Sequence, residues 1–210
     1  MKTAFKPGTL LYPLPAVMVS CGDEPENYNI ITIAWTGTVC SDPPMCYISV
    51  RPNRHSHAII ERTGEFVINL PTTELARATD WCGVKSGRDV NKFEGCDVEM
   101  RSSNGLLYLP KYTNAYLSGQ MNYAKDLGTH TLFIADITEA VHLSDDPSLT
   151  YAYYQQHIKP KPVAAAQPSS DGKKKWVCEV CGYVYEGDEL PADFICPWCK
   201  HPASDFKLVE

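Results

Sequence analysis

The chain has 210 residues, 44% of them hydrophobic, and its 19 Lys/Arg against 25 Asp/Glu give a formal net charge of −6. This length suits one medium domain and one small one, and the apolar content is enough for packed cores rather than a disordered chain. An acidic balance without a basic stripe argues against nucleic acid as a partner. No apolar run reaches the ~18–20 residues of a spanning helix. The start, MKTAFKPG, lacks the apolar stretch of a secretory leader, so a cytoplasmic protein with no membrane partner is expected.

Read along the chain, short apolar or alternating runs predict strands at Val17–Val19, Tyr28–Trp35, Met45–Arg51 and Glu65–Leu70. Further runs at Asp97–Arg101, Ala115–Met121 and His130–Thr138 predict three more, and Asn104-Gly105 predicts a hairpin turn. Ser56 and Thr72 are candidate N-caps of two short helices, whose apolar faces would be Ala58, Ile59 and Leu75, Ala78. Tyr151–Gln156 is a third candidate helix, its tyrosines read as packing residues. Regular short strands with few helices predict a mostly β fold with short helices, a small antiparallel barrel rather than a doubly wound sheet. No GxGxxG and no Walker A loop is present, which argues against a dinucleotide-binding Rossmann domain.

Two segments in this region are candidate anion sites. Arg51, Arg54, Ser56 and His57 cluster in RPNRHSHAII, where free N–H groups of a helix start would add to the arginines. The second segment is the glycine turn Lys85-Ser86-Gly87-Arg88-Asp89 ahead of Lys92. On spacing alone, each also reads as an ordinary solvated helix start. Cys21, Cys40, Cys46, Cys82 and Cys96 are scattered and are read as small packing residues, Cys82 lying near the second segment.

From 159 to 175 the sequence KPKPVAAAQPSSDGKKK loses all hydrophobic periodicity and reads as a linker, about 20–25 Å root-mean-square if it is a flexible coil. Residues 1–158, 159–175 and 176–210 carry net charges of −5, +4 and −5, so an acidic mini-domain follows a basic tether. The last 35 residues cannot bury much core and call for a staple. Cys178-x-x-Cys181 and Cys196-x-x-Cys199 provide one: two CxxC pairs, with 14 residues between them, can close a tetrahedral thiolate site suited to zinc or iron. Nine cysteines, odd in number and unevenly spread, fit thiols in a reducing compartment better than a disulfide framework.

The C-terminal segment resembles rubredoxin. Cys-x-x-Cys-Gly-Tyr and Cys-Pro-x-Cys match, as do the aromatics two residues before each knuckle, LPADF and the later SDF. The stretch between knuckles is shorter than in free-standing rubredoxins, as in the rubredoxin-type modules appended to larger redox proteins. The resemblance implies one iron held by Cys178, Cys181, Cys196 and Cys199, passing single electrons. The ordered motifs NIITIAWTG, DPPMCYISVRPNRHSHAII, GEFVINLP, CGVKSGRDVNKFEG and GTHTLFIADI resemble the flavin reductase-like, FMN-binding split-barrel family over roughly residues 8–145. That implies a split β-barrel, a homodimer, and FMN near the subunit interface. By the same resemblance Thr32, Trp35 and Thr36 line the flavin, Ser49, Val50 and Arg51 contact its ring edge or ribityl chain, and Arg54, Ser56 and His57 hold its phosphate. Asn69 falls at a strand end near the flavin, and Ser86, Gly87, Arg88 and Lys92 form a later binding loop. His130 sits in Gly-Thr-His where the family pattern often reads Gly-Asp-His, and is expected to be structural.

Together the two halves resemble the flavin reductase–rubredoxin fusions called high-molecular-weight rubredoxins. The domains implied are 1–158, a linker at 159–175, and 176–210. The function implied is electron transfer from NAD(P)H through FMN to the iron and on to a redox protein such as a flavodiiron oxygen or nitric-oxide reductase. Two alternatives stay open. One is a relay loaded by another enzyme; the other is a flavin reductase carrying a zinc-bound interaction ribbon.

Overall fold

The computed structural model describes residues 11, 13–94, 101–103, 105–158, 174–178, 184–195 and 202–209. The chain forms two compact units that divide between residues 158 and 159.

The first unit is built on the strands β1 (Val17–Cys21), β2 (Asn29–Ile33), β3 (Thr36–Ser41), β4 (Pro44–Val50) and β5 (Glu65–Pro71). Following them are a small hairpin, β6 (Arg101–Ser103) with β7 (Leu106–Tyr108), and two long strands, β8 (Thr113–Asp126) and β9 (Thr131–His142). Seven of these pair in the order β2-β1-β5-β8-β9-β4-β3, every pairing antiparallel. The two end strands of that order, β2 and β3, are consecutive in sequence and joined only by Ala34-Trp35. So short a connection curls the sheet round until its ends meet at a corner, which makes it a split barrel. The Trp35 carbonyl at that corner accepts from Ser49 N–H at 2.9 Å, tying it to β4.

The barrel interior follows from alternation along the strands. Val19, Ile31, Ile48, Val50, Phe66, Ile68, Phe133 and Ala135 point inward and pack with Ile59 and Ile60 of the helix α1 (His55–Thr63). Gly119 lets β8 pass close to this core: a Cβ there would lie 3.0 Å from Phe66 and 3.1 Å from Ala135. A second helix, α2 (Ala76–Val84), covers Met18, Ile30 and Leu109 on the other side of β1 and β2.

Of the two expected caps, Thr72 is found at an N-cap position and Ser56 is not. Arg54, not Ser56, is the N-cap of α1, and Ser56 is buried inside the first turn, where its hydroxyl accepts from Asn29 Nδ2 at 2.8 Å. Burial selects that role, because a capping hydroxyl at the end of the helix would leave Asn29 unpaired beneath it. Thr72 caps a 3-10 turn, Thr73–Leu75, ahead of α2, its hydroxyl donating to Glu74. Its own N–H is taken by the Tyr112 carbonyl at 2.8 Å. At the other end of α1, Gly64 adopts φ 70° and donates to Ile60 O, a left-handed stop that glycine takes without a Cβ penalty.

The remaining expectations map closely. Tyr28–Trp35 becomes β2 plus the corner, and the β6–β7 hairpin turns where Asn104-Gly105 predicts, with Gly105 at φ 84°. Residues 97–100 of another expected strand lie outside the described residues, as does Cys96. The third helix is Tyr151–Tyr153, which continues as a π turn over Tyr154–Ile158, and the Tyr154 hydroxyl donates to Asp80 of α2 at 2.5 Å. The strand β3 has no counterpart in the sequence reading. Only Thr36, among TGTVCS, is buried, so hydrophobic alternation does not mark it.

The second unit pairs β10 (Lys174–Cys178) with β11 (Val184–Gly187) on one side and β12 (Phe206–Val209) on the other. Aromatics fill the unit: Tyr185 lies 4.8 Å from Phe194, and Phe194 packs edge-on to Phe206 at 5.4 Å. Cys178 is buried and sits opposite Phe206 in register. Cys181, Cys196 and Cys199 lie outside the described residues.

Candidate functional site

The first unit gathers positive charge at one place. Chain leaving β4 makes a tight turn, Arg54 N–H donating to Arg51 O at 3.0 Å, and enters α1 at once. The loop after α2 folds on Ser86, whose carbonyl accepts from Asp89 and Val90 and whose hydroxyl accepts from Arg88 N–H at 3.2 Å. Arg88 then reaches across and donates to Asn53 O at 2.9 Å. The two basic segments of the sequence, some 30 residues apart, are thereby one surface patch.

Proton affinities record the crowding. Burial, and then the charge of Arg51, lower that of Arg54. His55 is lowered by burial and then by Arg88 and Lys92. His130 is lowered by burial and then by Arg51. Three backbone segments therefore contribute cations or imidazoles that oppose one another's charge, an arrangement that a bound anion relieves. The first turn of α1 adds N–H groups and the positive end of its dipole.

Beside the patch lies an aromatic element. Trp35, at the barrel corner, is 37% exposed, and its ring centroid is 4.6 Å from that of His130 in the turn after β8. Thr129 Oγ1 lies 3.0 Å from His130 Nδ1. Ser49 follows in β4, opposite Leu132 of β9.

Several expected contact residues are instead engaged within the protein. Val50 is buried in the barrel core. Asn69 has no exposed surface; its Nδ2 donates to Met18 O at 2.9 Å and its Oδ1 accepts from Leu109 N–H at 2.8 Å. His57 is buried against Phe133, with Nε2 2.8 Å from Thr131 Oγ1. The hydroxyls of Thr32 and Thr36 donate to the carbonyls of Thr79 and Tyr47. Lys92 is buried, and its ammonium donates to Ile30 O and Cys82 O, each at 2.7 Å. The patch proper thus comprises Arg51, Arg54, Gly87 and Arg88 with Ser56 and Ser86 at its base. Asn29 and His55 also belong to it and were not singled out by the sequence; His55 stands inside RPNRHSH, a run that could have drawn attention to it.

Comparison with known proteins agrees with this architecture. The family model described as flavin reductase like domain matches residues 9–161, and that described as rubrerythrin, rubredoxin-like domain matches residues 176–207. The chain belongs to the flavin reductase-like domain family and carries a rubredoxin-like domain at its C-terminal end. It is a homologue of the high molecular weight rubredoxin of Moorella thermoacetica, 31% identical over 96% of this chain and 97% of that protein. A ferric-chelate reductase (NAD(P)H) of Archaeoglobus fulgidus is 27% identical over 58% of this chain and 72% of its own length. Among solved structures, the flavoredoxin of Desulfovibrio vulgaris (Miyazaki F) superposes with a TM-score of 0.63 at 24% identity, covering 91% of this chain and 96% of that one, a likeness of fold. Among the described residues no helix is long and apolar enough to cross a membrane.

Proposed function

We propose that this protein is an oxidoreductase that takes electrons from NAD(P)H through FMN to a four-cysteine iron centre, and from there to a redox protein of the flavodiiron type. The observation that carries the reading is the joining, in one chain, of a flavin reductase-like domain bearing a cationic patch to a rubredoxin-like domain. When bound, FMN accepts two electrons as hydride and releases them singly, and iron held by four thiolates carries one electron at a time.

The patch fits the phosphate of FMN by the chemistry of its donors. Arg54 and Arg88 present guanidinium N–H groups, which pair well with phosphate oxygens, and α1 presents its first turn. Arg51 adds charge, and Trp35 with His130 offers an aromatic flank for a planar ring. Cys178, Cys181, Cys196 and Cys199 would hold the iron. Each reduced nicotinamide delivers two electrons, so two one-electron transfers to the partner balance each oxidation, with release of a proton. The Archaeoglobus relative named for NAD(P)H supports the donor. Val39, Tyr123 and Leu127, all large, apolar and well exposed, support a homodimer.

Docking of the small unit would use its acidic side chains. Glu186 is paired with Lys175 at 3.3 Å, so Asp188, Glu189 and Asp193 are the better candidates. An anaerobic visible spectrum of the full chain, before and after one equivalent of NADH or NADPH, tests the proposal. Flavin and ferric tetrathiolate bands that both bleach are the expected result. Bands that persist with either nicotinamide would favour a relay loaded by another enzyme, and zinc in place of iron would favour an interaction ribbon.

A further inference from the structure

Beneath the cationic patch lies a set of buried contacts. Asn29, at the start of β2, is 4% exposed, and its Nδ2 donates to Ser56 in the first turn of α1. Its Oδ1 faces Gly87 so closely that a Cβ there would lie 2.3 Å from it, 2.8 Å from Cγ and 2.9 Å from His55 Cδ2. Five residues on, the Lys92 ammonium reaches beneath the loop to carbonyls of β2 and α2. We propose that Asn29, Gly87 and Lys92 are positioning residues, a clamp that holds the loop after α2 against the first turn of α1 and fixes Arg88 in register with Arg54. This rests on reading the patch as a phosphate site.

The physical need for such a clamp is electrostatic. Arg51, Arg54 and Arg88 carry like charges on two separate segments, and in the absence of an anion their repulsion drives the segments apart. A loop free to swing presents the paired guanidinium geometry only part of the time, and apparent affinity falls by that fraction. The clamp opposes this from below with groups that themselves need not touch the ligand. Asn29 links to α1, the missing side chain at Gly87 lets the loop close over Asn29, and Lys92 anchors the far end of the loop. Only glycine serves at 87 because the atom it would crowd is a buried carboxamide already bonded to Ser56 and not free to move aside.

The test is binding of FMN and of riboflavin to the full chain, followed by flavin fluorescence. Riboflavin lacks the phosphate, so a site displaced only in its phosphate grip loses the first ligand and keeps the second. Gly87→Ala is expected to weaken FMN about 10- to 100-fold, corresponding to a loop competent roughly 1–10% of the time, while riboflavin stays within about twofold. Asn29→Ala, which adds no atom, is expected to show the same selective loss at a smaller size. The double variant N29A/G87A is expected to bind FMN more tightly than G87A, because the crowded carboxamide is gone. Lys92→Met should repeat the selective loss. Equal weakening of both ligands, or an unchanged FMN affinity in G87A, would overturn the clamp. A wild-type chain that binds FMN no better than riboflavin would overturn the phosphate site itself, and the clamp with it.

Discussion

Replacing Arg54 by Met separates what the patch does for binding from what it does for folding. The guanidinium is half-buried, at the N-cap of α1, and both its burial and its neighbour Arg51 oppose its charge. Met keeps most of the aliphatic stem and removes the charge. In the free chain nothing electrostatic is lost, so stability should stay within about 0.5 kcal/mol or rise. With FMN bound, the variant forfeits charge-assisted hydrogen bonds to phosphate of roughly 1.5–3 kcal/mol, or about 10- to 150-fold in affinity. Ligand at 100 times its dissociation constant stabilises the wild type by about 2.7 kcal/mol, and a 100-fold weaker variant by only about 0.4 kcal/mol at the same concentration. At roughly 2–4 °C per kcal/mol for a unit of this size, the FMN-induced rise in Tm should shrink from about 5–11 °C to about 1–2 °C. Thermal melts of both proteins, with and without FMN, read this directly. A variant that keeps the full rise, or whose ligand-free form melts several degrees lower, would refute the assignment of Arg54 to phosphate.

Acid sensitivity should come partly from His55 and His130, whose folded proton affinities lie below the ordinary imidazole value. The unfolded chain then takes up protons first, so their contribution is full above a pH of about 6.5 and is lost as pH falls through the lowered folded values; His55→Gln should flatten that slope in urea melts. Burial pushes the Cys21 thiol up to about 12 and that of Cys46 up to about 11, so an alkylating reagent at pH 8 should spare both and modify the partly exposed Cys40, as peptide mapping would show. Neutralising Asp188, Glu189 and Asp193 together should slow reduction of the partner several-fold at low salt and leave the rate at high salt nearly unchanged; an equal effect at both would argue against docking through these residues.

Local patterning made much of this protein legible. The strands β1, β4, β5 and β9 alternate or run apolar in sequence and are found where that pattern puts them, and the hairpin turn at Gly105 needs only its positive φ. Strand β3 escaped because it is an exposed end strand, held by hydrogen bonds to β4 rather than by burial. Of the caps, Thr72 is found where its chemistry puts it, at the start of the turn into α2, whereas Ser56 lies inside the first turn of α1, where a long-range partner, Asn29, takes its hydroxyl.

Sequence alone determined the two-part organisation, the paired CxxC knuckles and the presence of two basic segments, because spacing and composition are local properties. Only the tertiary structure decided that these basic segments are one patch. It also turned Asn69, His57 and Lys92 inward and brought Trp35 beside His130. Those outcomes depend on which strands pair and on which polar atoms burial forces to find partners, and neither is written in any single stretch of the chain.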